Sequence, residues 1–178
     1  MYLDLFNECV RGRWYNQTTG KVDWKIVDGL MFFRQSVESQ DWIRNFLAAI
    51  PIPVYLKAWQ WVPLGAWLTY RQVREIARKE VIGYVGYSQG GWPAVFASLE
   101  NGLPAMVFGC PRSTSHPELY EQVSAYKNTG DVVTTLPPWA KEAGAIVNLV
   151  GEIEKPSDMP MAEWAMQHSP EIYRQRLG

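Results

Sequence analysis

This sequence contains few cysteines and few histidines and has almost no net charge, and these features limit the classes of function that it can have. The 178 residues include two cysteines, Cys9 and Cys110, which can form at most one disulfide and show no metal-ligand spacing. We expect two reduced thiols, no metal and no cofactor. The formal net charge is −1, so electrostatics favour neither nucleic acid nor an anionic membrane as a partner.

Long apolar runs are missing as well. No run approaches the roughly 18 apolar residues that span a bilayer, so we expect no stable membrane insertion. The opening stretch, MYLDLFNECVRGR, places Asp4 and Glu8 ahead of its basic residues, which reverses the order of a secretory signal. We therefore expect no export signal. The expected location is cytoplasmic, with no positive targeting signal to define it.

The composition is that of a globular protein. Hydrophobic residues make up 47% of the chain and charged residues 20%, and the length fits one domain over 1–178. Nine tryptophans is a high count, which large core side chains or an exposed apolar face would explain. Five short apolar runs predict strands that are buried on both faces, and a further strand is predicted at 124–128. The five runs are Leu30–Phe33, Ile52–Leu56, Val81–Val85, Ala105–Phe108 and Ala145–Val150.

The segments between these runs predict helices, so strands and helices alternate. Such alternation implies right-handed crossovers and an α/β fold, with helices on both faces of a mainly parallel central sheet. Arg13–Gly29, turning at Asn16–Gly20, is predicted to form an antiparallel hairpin at the sheet edge. The predicted helices are Val37–Ile50, Gly65–Glu80, Gln89–Asn101, Glu118–Ser124 and Met161–Gln167.

The segment Gly86-Tyr87-Ser88-Gln89-Gly90 has the G-x-S-x-G pattern of a nucleophile elbow. It follows a predicted strand and opens a predicted helix, which is the context that this pattern requires. Its glycines relieve the steric clashes of a tight turn, and the turn lifts the Ser88 hydroxyl clear of the sheet. Pro93 lies early in the helix, where we expect at most a local distortion.

A serine hydroxyl becomes a good nucleophile only when a base removes its proton, and histidine is suited to this near neutral pH. In α/β-hydrolases the chain order is nucleophile, acid, histidine. Asp131 follows the strand predicted at 124–128, and His168 is the only histidine beyond it. His116 comes too early and is interpreted as an exposed turn residue. Asp158 and Glu154 are alternative acids.

Five segments form a recognisable series in chain order. They read FFRQS with DWI (32–36 and 41–43), GYSQGG (86–91), FGCPR (108–112), NTGDVV with LPP (128–133 and 136–138), and His168 with Tyr173. This series resembles the signature of class 3 lipases, the fungal-lipase-like branch of the α/β-hydrolases. The resemblance implies Ser88 as nucleophile, Asp131 as acid and His168 as base. It also implies Ser36 and the Gln89 backbone N–H as oxyanion donors.

Three residues depart from that signature. Gln35 replaces the glycine before the oxyanion serine, Tyr87 replaces histidine and Gln89 replaces leucine. GYSQG and NTGDVV are also similar to cutinases, although this chain lacks the cysteines that form disulfides around the acid in cutinases.

These features predict a carboxylic ester hydrolase, an esterase or lipase, that acts through an acyl-enzyme on a small-molecule or lipid ester. The polar segment 37–42 is a poor interfacial lid, which favours soluble or short-chain esters over emulsified fat. Acyl transfer or thioester cleavage by the same triad is the alternative within enzymes. A catalytically silent binding protein with the same fold is the alternative outside them.

Overall fold

A computed structural model describes residues 1–10, 17–20, 22–35, 50–78, 80–149 and 167–178. The helices predicted at Val37–Ile50 and Met161–Gln167 lie outside these ranges except for their last residues. The described strands are β1 (Gln17–Thr19), β2 (Val22–Val27), β3 (Leu30–Gln35), β4 (Pro51–Leu56), β5 (Ala58–Pro63), β6 (Gly83–Tyr87), β7 (Ala105–Phe108), β8 (Val123–Asn128) and β9 (Ala145–Leu149). The described helices are α1 (Tyr2–Val10), α2 (Leu64–Val73), α3 (Gly91–Asn101) and α4 (Pro170–Leu177).

Within the described residues, seven strands form one sheet in the order β1-β2-β3-β6-β7-β8-β9. The pairs from β3 to β9 are all parallel, whereas β1, β2 and β3 pair antiparallel. The carboxyl ends of β6, β7 and β8 therefore lie at one edge of the sheet, where loops of α/β proteins present functional groups. This arrangement confirms the predicted α/β class with a mainly parallel sheet.

The apolar central strands bury both of their faces, as their unbroken hydrophobic runs predict. Along β3, Met31 and Phe33 point to the side covered by α2 and α3. Phe32, between them, points to the opposite side, where α1 and α4 contribute Phe6 and Tyr173 to a second apolar cluster. Because successive residues of a strand face opposite sides, three adjacent apolar residues require cover on both faces.

Two predicted strands form, but in a different environment from the one expected. The run predicted at Ile52–Leu56 becomes β4, which pairs with β5 in a separate two-stranded sheet and has one exposed face. The run predicted at Ala145–Val150 becomes β9, which is mostly exposed because it is an edge strand that pairs only with β8 within the described residues.

Some predicted boundaries are also wrong. The helix predicted at Glu118–Ser124 is a 3₁₀ turn at Pro117–Tyr120, and β8 begins at Val123. The helix predicted at Gly65–Glu80 is α2 followed by a 3₁₀ turn at Ile76–Arg78. The edge hairpin is present as β1–β2, but its turn comes after Thr19 and not over Asn16–Gly20.

The helices α1 and α4 were not among the predicted elements. They have nine and eight residues, and helices this short depend on packing, here against the sheet. None of the helices within the described ranges combines the length and apolarity needed to cross a bilayer.

Candidate active site

Ser88 occupies a strained turn between β6 and α3. Its φ is +53°, in the left-handed region that non-glycine residues rarely adopt. A Cβ at Gly86 would lie 2.3 Å from the Gly90 carbonyl oxygen, and one at Gly90 would lie 2.4 Å from the Phe33 carbonyl oxygen. Side chains at these two positions would therefore collide with backbone. The tight turn predicted from G-x-S-x-G is present, and Pro93 fits within the first turn of α3.

The three side chains predicted to form a triad lie in hydrogen-bond contact. The Nε2 atom of His168 lies 2.8 Å from the Ser88 hydroxyl oxygen, and the Nδ1 atom lies 2.8 Å from the Asp131 Oδ2 atom. Ser88 follows β6, Asp131 follows β8, and His168 precedes α4. Three segments separated by 37 to 80 residues thus converge at one edge of the sheet.

Several donors surround the Asp131 carboxylate, whose side chain is 0% exposed. Its Oδ1 atom accepts a hydrogen bond from the Val133 backbone N–H at 2.9 Å. Its Oδ2 atom accepts a second bond from the Tyr173 hydroxyl at 2.7 Å, beside His168. Burial and the neighbouring Asp131 raise the pKa of Tyr173 well above its usual value, so its phenol stays neutral and remains a donor. A buried carboxylate requires partners of this kind.

The tautomer of His168 follows from these contacts. Its Nδ1 atom faces a carboxylate, which only accepts hydrogen bonds, so the proton of the neutral imidazole lies on Nδ1. The Nε2 atom is then left as the acceptor facing the Ser88 hydroxyl. This is the arrangement in which histidine can take a proton from serine.

The sequence identifies Tyr87 only as a departure from the lipase signature and does not predict its contact with His168. Its ring stacks on the imidazole with 5.4 Å between centroids and 15° between planes. Its hydroxyl donates a hydrogen bond to the His168 carbonyl. Burial raises the pKa of Tyr87 above its usual value, with Asp131 as the next contribution. The available signal in the sequence is that the residue next to Ser88 differs in chemistry from the histidine of the lipase signature.

Of the two predicted oxyanion donors, only Gln89 lies within the described residues. It is buried in the short 3₁₀ turn Ser88–Gly90 that leads into α3. Backbone N–H groups at the start of a helix have no acceptor within the helix, so they are available to bind an oxyanion. Ser36 lies outside the described residues, as do the alternative acids Asp158 and Glu154.

His116 behaves as the sequence predicted. It is part of an exposed turn, where its Nδ1 atom lies 2.7 Å from a carboxylate oxygen of Glu118. It makes no described contact with the triad residues.

Among known proteins, solved structures similar to this one were found. No family model matches the chain, and no curated protein matches it. Its structure is similar to Rhizomucor miehei triacylglyceride lipase, with 16% identity, a TM-score of 0.58, and coverage of 84% of this chain and 80% of that one. It is also similar to a triacylglycerol lipase whose catalytic centre is described as a serine protease triad, with 18% identity, a TM-score of 0.57, and coverage of 75% and 66%.

A third similar structure is a fungal lipase in complex with an inhibitor. The identity is 19%, the TM-score is 0.57, and the alignment covers 72% of this chain. The aligned part spans 62% of that lipase, less than two thirds of its length. This chain has the fungal-lipase fold. The resemblance drawn from the five sequence segments is thus confirmed for the fold.

Within this fungal-lipase fold, the two cysteines lie on opposite sides of the sheet and form no disulfide. Cys9 is buried in α1, while the Cys110 sulfur lies against Gly91, where a Cβ would be 2.5 Å away. Burial raises the pKa of the Cys110 thiol. Among the described residues, no group of three or more histidine, cysteine or carboxylate side chains is arranged to hold a metal ion.

Proposed function

We propose that this chain is a serine carboxylic ester hydrolase that forms an acyl-enzyme on Ser88. The observation that carries the proposal is the unbroken hydrogen-bond chain from Asp131 through His168 to Ser88. Each link suits its role, because a buried carboxylate orients the imidazole and the imidazole presents an acceptor to the hydroxyl.

In the first half of the reaction, His168 Nε2 takes the Ser88 proton while Ser88 Oγ attacks the ester carbonyl carbon. The carbonyl π electrons move onto oxygen, which gives a tetrahedral oxyanion. When this species collapses, the bond to the alcohol oxygen breaks and His168 returns its proton to the departing alcohol. The product is an ester between Ser88 and the acyl group.

Water completes the cycle by the same route. His168 removes one proton from water, the resulting hydroxide attacks the acyl-enzyme, and the proton returns to Ser88 Oγ as the acid leaves. The Asp131 carboxylate accepts the Nδ1–H hydrogen bond and stabilises the imidazolium that forms in each half. Its contacts with Val133 and Tyr173 support this role because they hold the carboxylate in place.

The oxyanion needs donors aimed at the position where its charge develops. We propose the Gln89 backbone N–H, at the turn that begins α3, as one donor. The second, Ser36, is proposed from the lipase signature. Removing one such donor in a comparable hydrolase costs about 2.7–4 kcal/mol of transition-state stabilisation.

The proposed substrate class is carboxylic esters of lipid type, and three observations support it. The fold is that of solved lipases, including Rhizomucor miehei triacylglyceride lipase. One lipase of similar fold is described as having a serine protease triad at its catalytic centre. The described site presents a serine, a histidine and a carboxylate, which are the groups that acyl transfer requires.

The deciding test is hydrolysis of p-nitrophenyl butyrate by wild type and two pairs of variants. Ser88→Ala and His168→Ala should each lower kcat by about 10⁴-fold or more, because the nucleophile or its base is gone. Ser115→Ala, which removes only a hydrogen bond from the Trp61 backbone N–H, and His116→Ala, in an exposed turn, are matched controls and should retain wild-type rates. A fluorophosphonate probe should label wild type and leave Ser88→Ala unlabelled.

Two results would overturn the proposal. One is hydrolysis that survives in folded Ser88→Ala protein. The other is wild-type protein that neither hydrolyses a series of p-nitrophenyl esters from acetate to palmitate nor reacts with the probe. Formation of a new ester from the acyl group and an added alcohol, in preference to the free acid, would instead assign acyl transfer to the same triad.

A further inference from the structure

The residue before the nucleophile contacts the proposed base at two places. The Tyr87 ring lies nearly parallel to the His168 imidazole, with 5.4 Å between centroids, and its hydroxyl donates to the His168 carbonyl. One side chain therefore touches both the ring and the main chain of the same histidine. No other described residue contacts His168 in this double manner.

The two hydrogen bonds of His168 leave one rotation uncontrolled. They join Nδ1 to Asp131 and Nε2 to Ser88, each at 2.8 Å, and so fix an axis through the imidazole plane. Rotation of the ring about that axis changes neither distance much and tilts the N–H and lone-pair directions only modestly, because both lie close to the axis. The resulting loss of hydrogen-bond alignment is too small to hold the ring plane, so a packing contact must set it.

The Tyr87 ring supplies that contact, and Tyr87 is itself held in place. It packs edge-on against Phe6 at 5.4 Å and against Tyr173 at 5.8 Å. Phe6 belongs to α1 and Tyr173 to α4, so the ring of Tyr87, the last residue of β6, contacts two helices. Near the imidazole edge, a Cβ at Gly109 would lie only 3.0 Å from His168 Cε1. The imidazole thus has a flat wall on one face and close backbone at one edge.

A stacked phenol also suits the charge that His168 would carry. During the proposed reaction the imidazole becomes an imidazolium, and a cation over the face of a tyrosine ring is stabilised by the ring's electrons. Burial raises the pKa of Tyr87, so the phenol remains neutral beside the acid Asp131. Its hydroxyl hydrogen is then always available to the His168 carbonyl.

We propose that Tyr87 is a positioning residue that fixes the imidazole plane and the main chain of His168, acting through the histidine and not on the substrate. The effect of this role on kcat rests on the proposed ester hydrolysis. Its effect on the His168–Asp131 hydrogen bond does not. Tyrosine stands where the lipase signature has histidine, so that signature does not predict this contact.

Two variants separate the ring from the hydroxyl. Tyr87→Leu removes both contacts, and kcat for p-nitrophenyl butyrate should fall about 100-fold with KM changed less than about twofold, since misorientation costs rate and not binding. Tyr87→Phe keeps the ring, and kcat should fall only about 3- to 10-fold, as expected for one lost hydrogen bond. Tyr55→Leu, an exposed tyrosine on β5's partner strand, is the matched control and should retain wild-type kinetics.

Nuclear magnetic resonance of ¹⁵N-histidine-labelled protein tests the same role without any substrate. The chain has two histidines, so exposed His116 serves as an internal reference for His168. Wild type and Tyr87→Phe should show a low-field Nδ1–H signal from the bond to Asp131. In Tyr87→Leu that signal should disappear, or the Nδ1 proton should exchange with solvent at least tenfold faster, while the His116 signals remain unchanged.

The outcomes distinguish the two proposals. Wild type that shows the low-field signal but hydrolyses no ester would sink the proposed function and leave the positioning role open to the spectroscopic comparison. An unchanged signal and unchanged kcat in folded Tyr87→Leu would overturn the positioning role. If Tyr87→Leu does not fold, Tyr87→Phe still decides, because a kcat equal to wild type or a lost low-field signal would each contradict the argument.

Discussion

The centre of the main sheet and the β4–β5 hairpin are built from equally apolar segments, yet they are buried in different ways. In β3, Phe32 and Phe33 point to opposite faces and both are buried. In the hairpin, Val54 and Val62 face the core, while Tyr55, Trp59 and Trp61 face outward and are 63%, 68% and 51% exposed. The difference comes from neighbours: β3 lies between two strands and two helix layers, whereas β4 pairs, among the residues that the structure describes, with β5 alone.

This contrast teaches that apolarity alone does not report burial. A side chain stabilises the fold only to the extent that folding removes it from water. The outward aromatic residues of the hairpin contact one another, as in the Tyr55–Trp59 pair at 5.6 Å, but water still reaches them. Equal substitutions in the two regions should therefore have unequal effects on the free energy of unfolding.

The largest effect is expected in the main sheet. Phe33 is 0% exposed and packs near Tyr84, with 6.2 Å between ring centroids. Phe33→Ala should lower the free energy of unfolding by about 3–5 kcal/mol, because it removes buried apolar area and leaves a cavity. Urea denaturation followed by circular dichroism would measure the change. A loss below about 1 kcal/mol would mean that the centre of the sheet is not the principal core.

In the hairpin, substitution of the buried polar residue Gln60 should lower the free energy of unfolding the most. The side-chain Oε1 atom of Gln60 accepts hydrogen bonds from the Thr114 hydroxyl at 2.6 Å and the Tyr120 hydroxyl at 2.8 Å, all buried. Gln60→Leu leaves these hydroxyls without that acceptor and should cost about 2–3 kcal/mol. Adding Tyr120→Phe to Gln60→Leu should recover part of the loss. If the double variant is less stable than the single one by the full cost of Tyr120→Phe alone, the two residues are not coupled.

An acid-sensitive contact joins the helices that follow the two regions. Glu100, near the end of α3, accepts hydrogen bonds from Arg74 and Tyr70 of the α2 region, and these hold the pKa of its carboxyl at about 2. A depressed pKa means that this stabilisation is fully present above the unfolded value near 4.5 and is lost as the pH falls towards 2. Arg74 is partly exposed, so solvent screening limits the neutral-pH contribution to about 1 kcal/mol.

Glu100→Gln tests that contact through its dependence on pH. The variant should be less stable than wild type at pH 7 by about 1 kcal/mol, and the difference should shrink as the pH falls from 4.5 to 2. Thermal unfolding at several pH values would measure both. A stability difference that stays constant across this range would show that ionised Glu100 is not what joins α2 to α3.

The same contrast explains how far the sequence alone predicts this molecule. The G-x-S-x-G turn demands glycine for local steric reasons, so the elbow could be located from five residues. Asp131 and His168 could be ranked because chain order and a single remaining histidine left few choices. The edge position of β9 and the separate β4–β5 sheet could not be predicted, because they depend on which strands become neighbours. The Tyr87–His168 stack, joining residues 81 positions apart, needed the fold for the same reason.

The smallest effect is expected where a large aromatic side chain remains in water. Trp59→Ala removes a side chain that is 68% exposed and should change the free energy of unfolding by no more than about 0.5 kcal/mol. Trp92 is the matched control: it is 1% exposed, and its indole N–H donates to the Pro111 carbonyl at 3.3 Å. Trp92→Ala should cost about 3–5 kcal/mol. Since the two variants delete the same atoms, their difference reports burial together with the one hydrogen bond of Trp92. Similar losses in both would mean that the hairpin's outward face is covered in solution.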